Sequence, residues 1–290
     1  MNNKTVLVIG SGGQLGSEMV KFFKKAAYSV ADVDYPQIDI TDRESVRGII
    51  NQIKPSCIIN CAAFTAVDDC ESHPDTAFAL NARGPENLAN SAEENGALLV
   101  HISTDYVFDG KKSVPYIESD ITNPMTVYGK SKLEGEHLVT ENCSRHQIFR
   151  IAWLYGLNGN NFVKAIRNAA IKKKASGEPL KVVNDQTGTP TSAIEVCRQV
   201  LNCLESGQNG IFHSTCEGSC TWYDFAREIL TSSGIDVELL PCTTEEFPRP
   251  APRPRFSVLE NARLKSLGLN TMPDWREAFA NFINDEKKAV

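Results

Sequence analysis

The sequence has little that would staple, anchor or strongly charge it. Its nine cysteines, Cys57, Cys61, Cys70, Cys143, Cys197, Cys203, Cys216, Cys220 and Cys242, are odd in number and scattered. No Cys-x-x-Cys pair occurs, so neither a zinc site nor a disulfide framework is signalled. Reduced thiols in a cytosolic enzyme are the expectation, with Cys57 and Cys61 packing beside a buried strand. No apolar run approaches the roughly 20 residues that span a bilayer, and no signal-peptide pattern precedes the first strand. A formal net charge of −6 argues against a broad nucleic-acid footprint. Internal repeats and low-complexity tracts are absent as well. What remains is a 290-residue chain, enough for one large domain or two modest ones around a sizeable core.

The first half alternates strand and helix, the pattern of an α/β fold. Thr5 to Ile9 is a β-branched apolar run and reads as a buried strand. Gly10-Ser11-Gly12-Gly13-Gln14-Leu15-Gly16 follows, then an amphipathic segment to about Lys25. Strand, glycine turn and helix together are the context in which a backbone can approach a pyrophosphate and seat it on a helix N-terminus. Gly-x-Gly-x-x-Gly fails because Leu15 takes its last position; Gly10, Gly13 and Gly16 fit Gly-x-x-Gly-x-x-Gly instead. The turn, with Gln14 and Leu15, is therefore a candidate dinucleotide site. Ser29 to Asp34 reads as the second strand. Asp32 or Asp34 would take the adenosine ribose hydroxyls, and Asp34, nearer the strand's end, is preferred. No arginine adjoins it to meet a 2′-phosphate, which leans towards NADH over NADPH.

A helix is expected from about Arg43 to Lys54, capped by Thr41 or Asp42. Pro55 to Asn60 introduces a third strand. Beyond it Ala62 and Ala63 are small enough for a cofactor backbone to lie close. Thr65-Ala66-Val67-Asp68 begins a candidate substrate loop, and Ala77 to Asn95 reads as one helix. Leu98 to Ser103 is the next strand, running into Thr104-Asp105-Tyr106-Val107-Phe108. A polar loop with Gly110, Pro115 and Pro124 then leads to a helix over Tyr128 to Asn142. Tyr128 and Lys132 are four residues apart, hence on one helical face. A phenol has a pKa of about 10, and a neighbouring ammonium is expected to lower it towards the range of a proton-transfer catalyst. With the Thr104 hydroxyl at a strand end, the set is complete for moving a proton at a carbonyl or alcohol oxygen.

After the strand Gln147 to Ala152 and the string Trp153-Leu154-Tyr155-Gly156 the alternation loosens. Helices are expected to about Lys174, from Ser192 to Leu204, from Thr221, and from Asp274 to Asp285. Strands are expected at Leu180 to Val183 and Ile211 to His213. Pro248 to Pro254 interleaves proline with Arg249 and Arg253, with Arg255 just beyond. That segment is either an exposed linker or an arginine clamp for a diphosphate, which guanidinium matches in bidentate fashion.

Several strings resemble one family closely. They are Ser103-Thr104-Asp105-Tyr106-Val107-Phe108-Asp109-Gly110, Tyr128-Gly129-Lys130-Ser131-Lys132-Leu133-Glu134-Gly135-Glu136, Phe149-Arg150-Ile151-Ala152-Trp153, Gly159-Asn160-Asn161-Phe162-Val163, Asn184-Asp185-Gln186-Thr187-Gly188-Thr189-Pro190-Thr191, and Arg253-Pro254 with Ser257 and Leu259. Their order resembles the dTDP-4-dehydrorhamnose reductases, a branch of the extended short-chain dehydrogenases/reductases acting on nucleotide sugars. The resemblance covers nearly the whole chain. It implies a Rossmann-type doubly wound parallel sheet over residues 1–155, with 191–213 returning to it, and a smaller C-terminal α/β substrate-binding domain over 156–290. It implies NADPH or NADH as cofactor, with Asp39 and Ile40 around the adenine and Lys132 also on the nicotinamide ribose. It implies a dTDP-4-keto-6-deoxy sugar as substrate, with Thr104, Asp105 and Trp153 on the sugar side and Gln186 and Arg253 towards the nucleotide and diphosphate. Asn81 either supports the catalytic site, as asparagines in that helix do in the superfamily, or is merely solvated. Phe64 and Thr187 depart from the family pattern, in which polar and aromatic residues respectively are frequent. Some relatives hold a metal at a dimer contact built from glutamates; Glu18 is the one candidate here. A surface role is expected for it, and no essential metal. A monomer or homodimer without nucleic-acid or membrane partners is expected. Two other readings share the motif set: an epimerase of the same fold, and a non-catalytic regulator resembling the regulatory subunit of methionine adenosyltransferase.

Overall fold

The structure is a computed structural model and describes residues 5–289. Its centre is a six-stranded sheet. Thr5–Ile9 (β1), Ser29–Val33 (β2), Cys57–Asn60 (β3), Leu98–Thr104 (β4) and His146–Ile151 (β5) are joined at one edge by the strand Gly210–His213. The spatial order is Gly210–His213, β5, β4, β3, β1, β2, and every adjacent pair is parallel. Parallel strands need crossovers, and the helices that supply them cover both faces. Successive strand residues point to opposite faces. Val6, Val8, Ile59 and Val100 therefore pack with the helices Gln14–Lys25 and Ala193–Ser206. Leu7, Ile9, Ile58 and Leu99 pack with the helices Arg43–Ile53, Gly84–Glu94 and Val127–Asn142 on the other side. Phe212 of the strand Gly210–His213 belongs to the first of these cores, so the chain returns to the sheet after leaving it.

A separate core gathers Tyr155, Val163, Phe225, Trp275, Phe279 and Phe282. It lies between the helices Phe162–Ser176, Trp222–Ser233 and Trp275–Ala289. A parallel pair, Leu180–Val183 with Leu239–Cys242, completes this part. The sequence reading did not anticipate Leu239–Cys242. Its Pro241 cannot donate to a ladder, which confines it to a two-stranded edge. All nine cysteines are free. Among the described residues no helix is long and apolar enough to cross a membrane.

The single helix expected over Ala77 to Asn95 is broken. Pro74–Phe78 and Gly84–Glu94 are α-helical, and Ala79–Arg83 between them is a π turn. Pro85 has no N–H to give Asn81 O, and the Gly84 amide reaches back to Ala79 O instead. The freed bulge presses on the helix Val127–Asn142, where a Cβ on Gly135 would lie 2.1 Å from Asn81 O. Gly135→Ala is expected to destabilise the fold by roughly 1–3 kcal/mol through overpacking. Gly48, on the helix Arg43–Ile53, has open space around its Cβ position. Gly48→Ala is expected to be stabilising by about 0.5–1 kcal/mol. Urea melts of the two variants, read by circular dichroism, should therefore shift in opposite directions.

Candidate active site

Strand order reverses at the parallel neighbours β1 and β3, beyond whose C-terminal ends a crevice opens. Gly10 adopts a left-handed φ of +74° there, and a Cβ on it would lie 2.7 Å from Ala62 N. Only glycine allows this approach. Gly16 packs under the same turn, its Cβ position 2.0 Å from Gly10 O. The helix Gln14–Lys25 starts without a side-chain cap, so its first amides remain available.

Two recesses open from this turn. The smaller, about 270 Å³, is lined by Gly10, Gly13, Asp34, Asp39, Ile40, Ala62 and Ala63. Asp34 accepts from Gly12 N at 2.7 Å and from Tyr35 N at 2.8 Å, which fixes its carboxylate at the rim. The larger, about 850 Å³, runs from Gly13, Gln14 and Leu15 past Thr104, Asp105, Tyr128 and Lys132 to Trp153, Gln186 and Arg253. Gly13, Cys61 and Ala63 border both. Of the residues expected above to bind cofactor or substrate or to move the proton, with Asp34 preferred to Asp32, Gly16 alone lines neither recess. The two recesses meet at the glycine turn, with Asp34 beside it in the smaller one, an arrangement that suits an extended dinucleotide.

One wall of the larger recess is built on two elements. Thr104 ends β4, and Tyr128 and Lys132 project from one face of the helix Val127–Asn142. Thr126 caps this helix by accepting from Gly129 N at 3.0 Å, and Glu71 accepts from Val127 N at 2.8 Å. Lys132 donates to Ile102 O at 2.6 Å and lies 3.3 Å from His101 Nε2. The sequence reading expected Lys132 to lower the Tyr128 pKa. Instead burial raises Tyr128, and the Thr104 hydroxyl is the group that opposes the rise. Burial also brings Lys132 down to about 8. Two groups that each lose solvent shift towards their neutral forms, which sequence spacing does not reveal.

Asn81 is fully buried rather than solvated. Its amide donates to Ser131 Oγ and Phe64 O and accepts from Phe64 N, pinning the loop after β3 to the catalytic helix. Phe64 packs there against Tyr128 and Tyr106. Glu18 is not the surface residue expected: it is 7% exposed and accepts from Asn158 at 3.1 Å.

The far side of the cleft contains groups that the sequence reading passed over. Trp153, at a left-handed φ of 46°, stacks on Trp222 with centroids 3.4 Å apart. Gly188 presses its other side, where a Cβ would meet the indole at 2.3 Å. Gln186 accepts from Trp222 Nε1 and donates to Thr244. Arg253 donates to Asp68 at 2.9 Å and to Ala251 O, so the proline–arginine segment is latched to the candidate substrate loop. Arg249 also lines this end. Asp68 was included in the candidate substrate loop, whereas Trp222 carried no motif; only an aromatic at the start of a helix marked it.

A doubly wound parallel sheet, a glycine turn at its reversal point and a Thr–Tyr–Lys wall beside it define an extended short-chain dehydrogenase/reductase. Comparison with known proteins narrows this. The family described as the RmlD substrate binding domain matches residues 4–288. The spore coat polysaccharide biosynthesis protein SpsK of Bacillus subtilis (strain 168) is 39% identical over 284 residues, 98% of each chain. A dTDP-4-dehydrorhamnose reductase from Clostridium acetobutylicum ATCC 824 is 47% identical with a TM-score of 0.93, covering 97% of this chain and 98% of that one. One from Bacillus anthracis str. Ames, in complex with NADP, is 35% identical with a TM-score of 0.94, covering 98% and 99%. The chain belongs to this family, that of the RmlD substrate binding domain.

Asp105 is buried, its Oδ1 accepting from Thr104 Oγ1 at 2.9 Å while Oδ2 has no partner. Ser257 is near enough to favour the carboxylate, yet burial dominates and raises Asp105 from 3.8 to about 6. A carboxyl raised in the folded state costs stability when ionised. That cost is absent below the unfolded value and is complete above the folded one. About two units correspond to roughly 3 kcal/mol. Asp105→Asn is therefore expected to resist urea better than the parent at pH 7.5. The advantage should shrink as pH falls through 6 towards 4, and an advantage independent of pH would contradict this account.

Proposed function

We propose that the protein reduces the C4 ketone of dTDP-4-dehydro-L-rhamnose to dTDP-L-rhamnose with NADH or NADPH. The observation that carries this is the meeting of Thr104, Tyr128 and Lys132 on one wall of a cleft that continues into a dinucleotide-shaped groove. Kinship with dTDP-4-dehydrorhamnose reductases over nearly the whole chain supports the substrate. The groove fits the cofactor on its own chemistry. The helix Gln14–Lys25, uncapped at the glycine turn, offers its first amides to a pyrophosphate, and Asp34 offers acceptors for ribose hydroxyls. When bound, the reduced nicotinamide supplies the hydride.

Negative charge then grows on O4 of the sugar, and the chain's task is to neutralise it. Tyr128, kept protonated by burial, donates its hydroxyl proton to O4. The Thr104 hydroxyl, turning its hydrogen from Asp105 to the substrate, would hold O4 beside the phenol. Lys132 supports the phenolate left behind and reaches the nicotinamide ribose. Asp105 and Trp153 would face the sugar, and Arg253 and Gln186, both lining the far end of the cleft, would address the nucleotide. Arg253 exchanges a carboxylate partner, Asp68, for a phosphate of like charge.

The decisive experiment mixes the protein with enzymatically prepared dTDP-4-dehydro-L-rhamnose and NADH or NADPH and follows nicotinamide absorbance. Stoichiometric oxidation with dTDP-L-rhamnose as product is expected. An epimerase would not consume the cofactor, so cofactor binding without oxidation would overturn the reading. Tyr128→Phe is expected to keep cofactor affinity and lose on the order of 10²–10⁴ in turnover. Asp34 repels a 2′-phosphate, so NADH is the expected better substrate; Asp34→Ser should move the preference towards NADPH by roughly tenfold, about 1.4 kcal/mol.

A further inference from the structure

Under the catalytic wall lies a buried polar chain that the proposed reaction does not yet use. Asn60 ends β3, and His101 is its register partner on β4. Both are essentially without solvent contact. Asn60 Nδ2 is 3.2 Å from His101 Nδ1, and His101 Nε2 is 3.3 Å from Lys132 Nζ. In a hydrophobic sheet interior, three such groups in line are costly unless each bond has a donor and an acceptor.

The direction of the chain follows from one backbone amide. Ala62 N donates to Asn60 Oδ1 at 3.1 Å, so the oxygen is committed there and the NH₂ group must face His101. His101 Nδ1 is then the acceptor, and in a neutral ring the proton sits on Nε2. Burial and the nearby lysine both disfavour an imidazolium. Nε2–H therefore points at Lys132 Nζ. An ammonium has three donors and no lone pair to receive it; an amine has one. The remaining hydrogens of the amine serve Ile102 O and the cleft.

We propose that Asn60 and His101 are positioning residues whose hydrogen-bond chain ends in a donor aimed at Lys132 and so opposes its ammonium form. This rests on the reductase reading and deepens it. The chain sets the pH above which Lys132 no longer carries the charge that supports the Tyr128 phenolate. Other groups facing Lys132 act in the opposite sense or are silent. Glu136, one turn along the same helix, favours the ammonium but is engaged by Arg150 and Ser103. Cys61, beyond β3, is held as a thiol by burial. Tyr128, one turn back on the helix, is held neutral in the same way.

The test needs no turnover. In ¹⁵N-histidine-labelled full-length protein, His101 should show a bare Nδ1 and a protonated Nε2 across neutral pH. The opposite tautomer or an imidazolium would end the proposal. In ¹³C-lysine-labelled protein the Lys132 Cε resonance, assigned with Lys132→Met, should titrate well below the other lysines. His101→Phe, which removes the donor, should raise that midpoint by about one unit. A lowered midpoint would mean that His101 accepts from an ammonium, and an unchanged one that the contact is only structural; either overturns the proposal. Should His101→Phe fail to fold, the tautomer in the parent protein still decides. If the reductase assay fails while these titrations hold, the fault lies with the proposed reaction and not with the chain.

Discussion

A side-chain carbon at residue 10 would lie 2.7 Å from the Ala62 amide, and the cleft depends on there being none. The contact joins the loop after β1 to the loop after β3 at the one place where the sheet reverses its winding. Because the two loops can touch backbone to backbone, the helix Gln14–Lys25 starts at the crevice floor. The same helix then holds the second half of the molecule. Gln14 donates to Leu154 O and accepts from Asn161, so one amide couples the glycine turn to the segment leading into the other core.

The helix Val127–Asn142 is fixed by a different device. Residues 128, 132 and 136 share one face and bear a phenol, an amine and a carboxylate. Glu136 is bound by Arg150 through two parallel bonds, both side chains almost fully buried, and it also accepts from Ser103. A buried pair of this kind contributes little net stability but is costly to break. It locks the helix in rotation against β4 and β5. Asn81 does the same from the opposite side, so Tyr128 is held by anchors on two separate elements. Precise placement of a proton donor is the kind of contribution that rate depends on.

Much of this was legible beforehand because it is local. β-branched runs marked the strands, the spacing of glycines marked the turn, and a four-residue interval put Tyr128 and Lys132 on one face. The returning strand Gly210–His213 was legible as a strand, and family resemblance supplied its destination. What escaped notice depends on burial or on distant partners. The charge relation between Tyr128 and Lys132 was misjudged because spacing carries no information about lost solvent. Glu18 reads as surface on any helical wheel, yet the loop carrying Asn158 covers it. The π turn at Ala79–Arg83 follows from Pro85, a signal that was present in the sequence and passed over. Trp222 is brought to the cleft by tertiary packing alone.

The bond from Arg253 to Asp68 spans 185 residues of sequence. Proteins are made from the N-terminus, and domains tend to fold in that order. Five of the six sheet strands, together with Thr104, Tyr128 and Lys132, precede residue 152. Most of the sheet and the Thr104–Tyr128–Lys132 wall thus lie in the first half of the chain, while the helix Ala193–Ser206 and the strand Gly210–His213 that complete the sheet's first core come later. The cleft gains its nucleotide end only when the proline–arginine segment has left the ribosome and met the loop after β3. A chain that stops short of residue 253 therefore lacks one rim of the cleft.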